Sequence, residues 1–145
     1  MRALVQRVTY GKVSVDGKIT AEIGQGVVIL LGIGHSDNVL QADFLSDKIV
    51  NLRIFEDAEG KMNLCLLDIK GSAILVSQFT LYADTSRGRR PSFVDAALPE
   101  NARPLIAYFA DKMNKLGIPT GQGIFGADML VEIHNDGPVT IWLEK

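Results

Sequence analysis

A chain of 145 residues with a net charge of −2 can bury a core of its own as one domain, and it lacks the global basic signature of a nucleic-acid binder. Its 47% apolar and 22% charged residues are those of an ordinary soluble globular protein, and its longest apolar run, Val27 to Leu31, is strand-sized and too short to span a membrane. Any contact with RNA must therefore come from local clusters. Cys65 is alone, so no internal disulfide is possible and a reducing compartment is implied. The opening Met1-Arg2-Ala3 lacks the apolar run of a signal peptide, so the expected location is cytoplasmic.

Strands come first. Leu4–Val8 and Lys12–Val15 read as strands separated at Tyr10-Gly11, and Asp16-Gly17 is a hairpin signal that returns the chain through Ile19–Ile23. After the turn Gly24-Gln25-Gly26, Val27–Ile33 has the pattern of a buried strand. Ser36 or Asp37 is placed to cap a helix running to about Asn51, with Leu40, Phe44, Leu45 and Ile49 at helical spacing. Ile74–Gln78 is a second core strand. Leu98-Pro99-Glu100 opens a helix that ends at Leu116-Gly117. Met129–His134 and Thr140–Leu143 form a closing pair of strands around Gly137-Pro138. The whole predicts a single domain, 1–145, of α+β class, with a largely antiparallel, barrel-like sheet and two main helices.

The usual catalytic constellations are poorly represented. His134 lies on an alternating strand, on the side away from Val131 and Ile133, and reads as an exposed strand histidine. His35 follows Gly32-Ile33-Gly34 at a strand end and is a site candidate by position alone. Cys65 has no Lys or His nearby to activate it and reads as a small core residue. No set of Cys, His and Asp has zinc spacing, and the short glycine runs do not form a dinucleotide fingerprint.

Two polar segments interrupt apolar strands: Ser77-Gln78-Phe79-Thr80-Leu81, and Asn135-Asp136-Gly137-Pro138-Val139-Thr140. Alternation places Ser77 and Phe79 on one face and Gln78 and Thr80 on the other. The plain alternative is a bulge or strand end whose polar groups bond neighbouring backbone. The Thr80 hydroxyl is a possible nucleophile, but no base lies near it in the sequence.

These segments resemble the two signatures, SQxxL and NxGPVT, of the D-aminoacyl-tRNA deacylase family. Further blocks follow in the family's order: Met1 to Val8, Leu52 to Asp57, Gly60 to Asn63, Gly88 to Phe93 and Gly123 to Met129. The resemblance implies a homodimer that hydrolyses the ester between a D-amino acid and the terminal ribose of tRNA, with no metal or organic cofactor. Glycine mischarged on tRNA is an expected second substrate. The ribose 2′-hydroxyl would help activate water, while backbone N–H groups around Ser77, Gln78 and Phe79, in the same catalytic segment as Thr80, position the ester.

The resemblance also implies a cis Gly137–Pro138 bond that reaches into the partner's pocket and excludes L-side chains. Arg7 is then either a plain edge-strand arginine or, by resemblance, a residue that holds this loop through a carbonyl. Phe125 and Met129 resemble residues lining the terminal-adenine pocket, though either also reads as core. Arg87, Arg89 and Arg90 are either a solvated charge run or contacts to phosphates of the acceptor end. Two other functions stay open: an esterase with Thr80 as nucleophile, and a non-catalytic RNA- or DNA-binding module.

Overall fold

Alternating small and branched residues carry the chain from Arg2 to Val15 as one unbroken strand, β1 (Arg2–Val15), in a computed structural model that describes residues 1–145. The break expected at Tyr10-Gly11 does not occur. Gly11 pairs with Ile23 on one side and Ile133 on the other. A Cβ at Gly11 would come 2.9 Å from Val28 Cγ2, so the glycine serves close packing rather than a turn. The hairpin signal holds: Asp16 and Gly17 both have positive φ, 49° and 76°, and lead into β2 (Lys18–Ile23).

The buried run becomes β3 (Gly26–Gly32), antiparallel to the first half of β1. Helix α1 spans Val39–Val50. Its cap is Asn38, which forms a reciprocal capping box with Gln41, rather than Ser36 or Asp37. Asp37 is engaged elsewhere: its carboxylate accepts from the Gly34 amide and the Tyr82 hydroxyl. Of the four apolar positions expected to face the core, Leu45 and Ile49 do so and Leu40 and Phe44 do not. Ala42, Leu45, Ser46, Ile49 and Val50 are buried, while Leu40 and Phe44 are exposed.

A small hairpin follows, β4 (Phe55–Glu56) and β5 (Met62–Leu64), and the chain then enters β6 (Ser72–Ser77), parallel to β3. Helix α2 (Pro99–Lys115) starts with proline in its first turn and ends where expected. Gly117, at φ 91°, and Ile118 donate back to Asn114 and Met113 in a Schellman arrangement. β7 (Thr120–Gln122) adds in parallel to β6, and β8 (Leu130–Glu144) closes the chain.

The sheet order is β2-β1-β3-β6-β7, with β8 along the other edge of β1. Gly121 of β7 lies against Ala21 of β2, so the sheet curls until its ends nearly meet. The α+β, barrel-like expectation is met. Both helices pack on one face of the sheet, where Val5, Ile29, Leu31 and Leu75 meet Leu45, Ile49, Phe109 and Met113. Inside the curl sits a second, smaller core that includes Val8, Val13, Val28 and Ile74.

The closing pair of strands is not a pair. β8 is one strand, and both its halves pair with β1 rather than with each other. Thr140 faces Gln6 and Asn135 faces Val8, so Asp136 to Val139 bulge out opposite Arg7 alone. The length of β1 allows this, because it offers β8 an unbroken edge on either side of the bulge.

Candidate active site

The parallel pairing of β3 with β6 ends at Leu31 and Ser77. Ladder hydrogen bonding stops there, and the crevice beyond the carboxyl ends of parallel strands is a common place for a ligand. A cavity of about 620 Å³ opens at this point. Its floor is Leu31, Ile33 and Val76; one wall is the start of α2, with Pro99, Ala102 and Ile106. Ser77, Gln78 and Phe79 form the second wall, and the stretch Phe125 to Met129 the third.

The chain does not continue as a strand past Ser77. The Gln78 amide donates to Leu31 O at 2.8 Å, and Phe79–Tyr82 then coil into a single 3₁₀ turn. The alternation expected over Ser77 to Thr80 therefore fails. Ser77, Gln78 and Phe79 all line the cavity, whereas Thr80 is exposed outside it. The first bond within the turn runs from the Leu81 amide to Gln78 O, which leaves the Phe79 and Thr80 N–H groups outside the ladder. Such groups at a turn's start are available to an oxyanion. The Gln78 amide side chain donates to Thr80 Oγ1 at 2.5 Å.

The turn is propped from below. Arg2 Nη1 donates to Leu81 O at 3.0 Å, and its guanidinium lies over the Tyr82 ring at 4.3 Å. Burial, reinforced by Asp37, pushes the Tyr82 hydroxyl well above the usual phenol range, so it stays a neutral donor. Above the turn, Phe79 meets Phe93 edge to face at 5.0 Å.

Phe93 ends the basic segment. Asp84 and Ser92 exchange backbone hydrogen bonds of 2.8 and 2.9 Å, closing a loop that carries Arg87, Arg89 and Arg90. All three arginines are exposed and outside the cavity, yet Phe93 ties the base of their loop to its rim. Phe125 and Met129, by contrast, line the cavity directly.

The Gly137–Pro138 bulge lies away from this cavity, exposed on the edge of the molecule, and its peptide bond is cis. Arg7, only 4% exposed, holds it from beneath. Arg7 Nη1 donates to Ile54 O at 2.6 Å, and Nε lies 3.3 Å from Asp136 O and 3.0 Å from the Asp136 carboxylate. Asn135 cinches the neck of the bulge, its amide donating to Arg7 O and Val139 O at 2.9 and 3.0 Å. Gly137 has φ 110°, and a Cβ there would lie 2.9 Å from Arg7 Nη2.

The remaining candidates stand apart. His134 is exposed and packs on Tyr10, with ring centroids 5.0 Å apart. His35 is exposed in a separate polar hollow beside Asp37, its Nε2 2.5 Å from Val94 O. Cys65 is half-buried rather than fully in the core. Arg103 carries no signal in the sequence pattern, yet its guanidinium lies 5.1 Å from the centroid of Phe125. Helical periodicity marks position 103 only as a surface position, and its meeting with Phe125 is a tertiary fact.

Residues 4–144 match the family model described as D-Tyr-tRNA(Tyr) deacylase. This chain belongs to that family. Over its full length the deacylase-family chain is 56% identical to a D-aminoacyl-tRNA deacylase of Thermomicrobium roseum, covering 94% of that protein. It is 57% identical to one of Fervidobacterium nodosum, also over its full length and covering 97% of the relative. A solved structure of a c-Myc DNA unwinding element binding protein superposes with TM-score 0.94 at 40% identity, covering 100% of this chain and 99% of that one. A solved structure of a probable eukaryotic D-amino acid tRNA deacylase shares the fold, with TM-score 0.85 at 16% identity over 98% of this chain and 97% of that one. No helix is long and apolar enough to cross a membrane.

Proposed function

We propose that the cavity beyond β3 and β6 receives the aminoacylated 3′ end of tRNA and hydrolyses its ester, releasing a free D-amino acid and tRNA. The chain is a hydrolase of the D-aminoacyl-tRNA deacylase type, and tRNA is its partner. The observation that carries the reading is the convergence of Ser77, Gln78 and Phe79 with Phe125 and Met129 around one apolar cavity. Phe125 offers a ring on which an unpaired terminal base stacks, with Met129 beside it. The ester carbonyl then faces the start of the 3₁₀ turn, whose Phe79 N–H stabilises the oxyanion as water attacks. The ribose 2′-hydroxyl assists that water, and the ester bond breaks to leave the 3′-hydroxyl on the tRNA. Thr80 takes no covalent part in this reading, which its position outside the cavity supports.

Chiral selection falls to Gly137 and Pro138. They lie off their own chain's cavity, so the reading requires a homodimer in which each bulge walls the partner's site. A backbone wall close to the α-carbon excludes L-side chains as a class, whatever their size. A D-side chain projects away from it, and glycine has nothing to collide. Both are accepted, so glycine mischarged on tRNA is a second substrate. Arg87, Arg89 and Arg90 hold phosphates of the acceptor end. The work is cytoplasmic, where tRNA is charged.

The test is hydrolysis of matched D- and L-aminoacyl-tRNA by the same preparation, with its mass measured in solution. Release of the D-amino acid alone by a dimer is expected; cleavage of both forms, or full D-selectivity in a monomer, would overturn the reading. A second reading, nucleic-acid binding without chemistry, draws on the 40% identical DNA unwinding element binding protein. Tight binding to DNA with no turnover of any aminoacyl-tRNA would favour it.

A further inference from the structure

Arg103 sits one turn into α2, exposed, with its guanidinium carbon over the ring of Phe125 at 5.1 Å. None of the ion pairs in the molecule includes it, and Glu100 one turn earlier leaves it unpaired. It makes no side-chain hydrogen bond to the rest of the chain either. An arginine that only stabilised its helix would find a carboxylate at helical spacing, as Lys115 does with Asp111. Arg103 instead lies over an aromatic ring of the cavity wall, and its N–H groups have no partner within the chain.

The chemistry of the substrate limits what these donors can meet. An esterified amino acid carries an ammonium group and no carboxylate. The only anions on an aminoacyl-tRNA end are its phosphodiesters, and the one nearest the terminal base is on the 5′ side of that nucleoside. A planar fork beside a base-stacking ring suits that phosphate. We propose that Arg103 binds the 5′-phosphate of the nucleoside that stacks on Phe125, and so fixes the terminal nucleotide from its phosphate as well as its base. The assignment rests on the deacylase reading for the identity of the base, but its geometry is that of this chain alone.

The test uses two small probes, adenosine 5′-monophosphate and adenosine, titrated against the whole protein by calorimetry or ligand-observed NMR. The wild type binds the monophosphate about tenfold more tightly than adenosine, the size expected for one charge-assisted contact. Arg103→Gln makes the two equal, Arg103→Lys keeps part of the preference, and Phe125→Leu weakens both. Arg103 is exposed, so its variants fold, and Phe125→Leu keeps an apolar side chain where Phe125 packs on the core. A phosphate preference that survives in Arg103→Gln, or is absent from the wild type, overturns the assignment. Hydrolysis of D-aminoacyl-tRNA by the wild type is measured in parallel. If that hydrolysis is absent while Arg103→Gln still abolishes the preference, the deacylase reading falls and the phosphate site stands.

Discussion

Thr80 Oγ1 accepts the Gln78 side-chain amide at 2.5 Å and lies outside the cavity wall that Gln78 shares. Losing this hydroxyl removes a partner for Gln78, not a nucleophile. Removing a true nucleophile lowers kcat on the order of 10⁶-fold, whereas Thr80→Ala is expected to stay within about tenfold of wild type. Steady-state kinetics on D-aminoacyl-tRNA decide this; a folded but inert Thr80→Ala protein, with an acyl-enzyme trapped in the wild type, would restore threonine as the nucleophile. Arg7 differs, because it is buried and serves three acceptors. Arg7→Ala leaves the Ile54 and Asp136 carbonyls without their donor, and about 2 kcal/mol of stability is lost. Arg7→Lys keeps a charge near Asp136 but cannot fork, so it falls between the two. If the bulge is part of the working site, kcat drops further than the urea midpoint explains. Equal activity in wild type and Arg7→Ala would make the tether purely structural.

At the scale of elements, the loop closed by Asp84 and Ser92 is a separate device from the cavity. Its three arginines are exposed, and only Phe93 connects it to the rim. Charge removal there should act on affinity and leave the chemistry alone. Arg89→Gln with Arg90→Gln is expected to raise KM for aminoacyl-tRNA and to flatten its salt dependence by about one to two units of slope. Cleavage of a minimal aminoacyl-adenosine should continue near the wild-type rate. An unchanged slope would leave the loop a solvated surface. The hairpin of β4 and β5 is, by contrast, a structural element. Asp57 accepts from the Glu59 and Lys61 amides and the Asn63 side chain, and Gly60, at φ 74°, donates to Asp57 O, so Asp57, Gly60 and Asn63 together build the turn of this hairpin.

Across the whole molecule, several exposed or half-buried carboxylates share one electrostatic sign. Hydrogen bonds from Asn63 and the Lys61 amide lower Asp57, and those from Lys112 and Tyr108 lower Asp43. The Cys65 and Ser86 amides lower Asp68 and Asp84, and Arg2 lowers Glu144. Each binds its proton less readily in the folded chain than in the unfolded one. Their contribution is therefore complete above the unfolded carboxylate range and is lost as pH falls through the lower, folded values. Melting temperature should be flat above about pH 5 and decline below about pH 4, and Asp57→Asn should shallow that decline. A melting temperature indifferent to acid would mean that these contacts are not kept in solution.

Local rules were enough to read much of this chain. The Asp16-Gly17 turn, the buried runs of β3 and β6, and the proline start and glycine end of α2 depend on neighbours in sequence, and each was legible there. So were the two polar segments, because polarity inside an apolar strand contradicts the local pattern. What failed to read was decided by distant partners. Gly11 looked like a break until the packing of Val28 showed why it lacks a side chain. The cap of α1 passed to Asn38 because Gly34 and Tyr82 engage Asp37. The halves of β8 looked like partners, yet both found β1. Alternation past Ser77 ended because the pairing with β3 ends there as well, and that shared end turned Ser77, Gln78 and Phe79 onto one cavity. Arg103 and Phe125 lie on separate elements, and no spacing rule links them. Sequence periodicity reports a residue's own backbone and its nearest turns, so it determined the elements and flagged the unusual segments. Which elements meet, and therefore which residues share a cavity, was decided by burial across the sheet and helices of the folded chain.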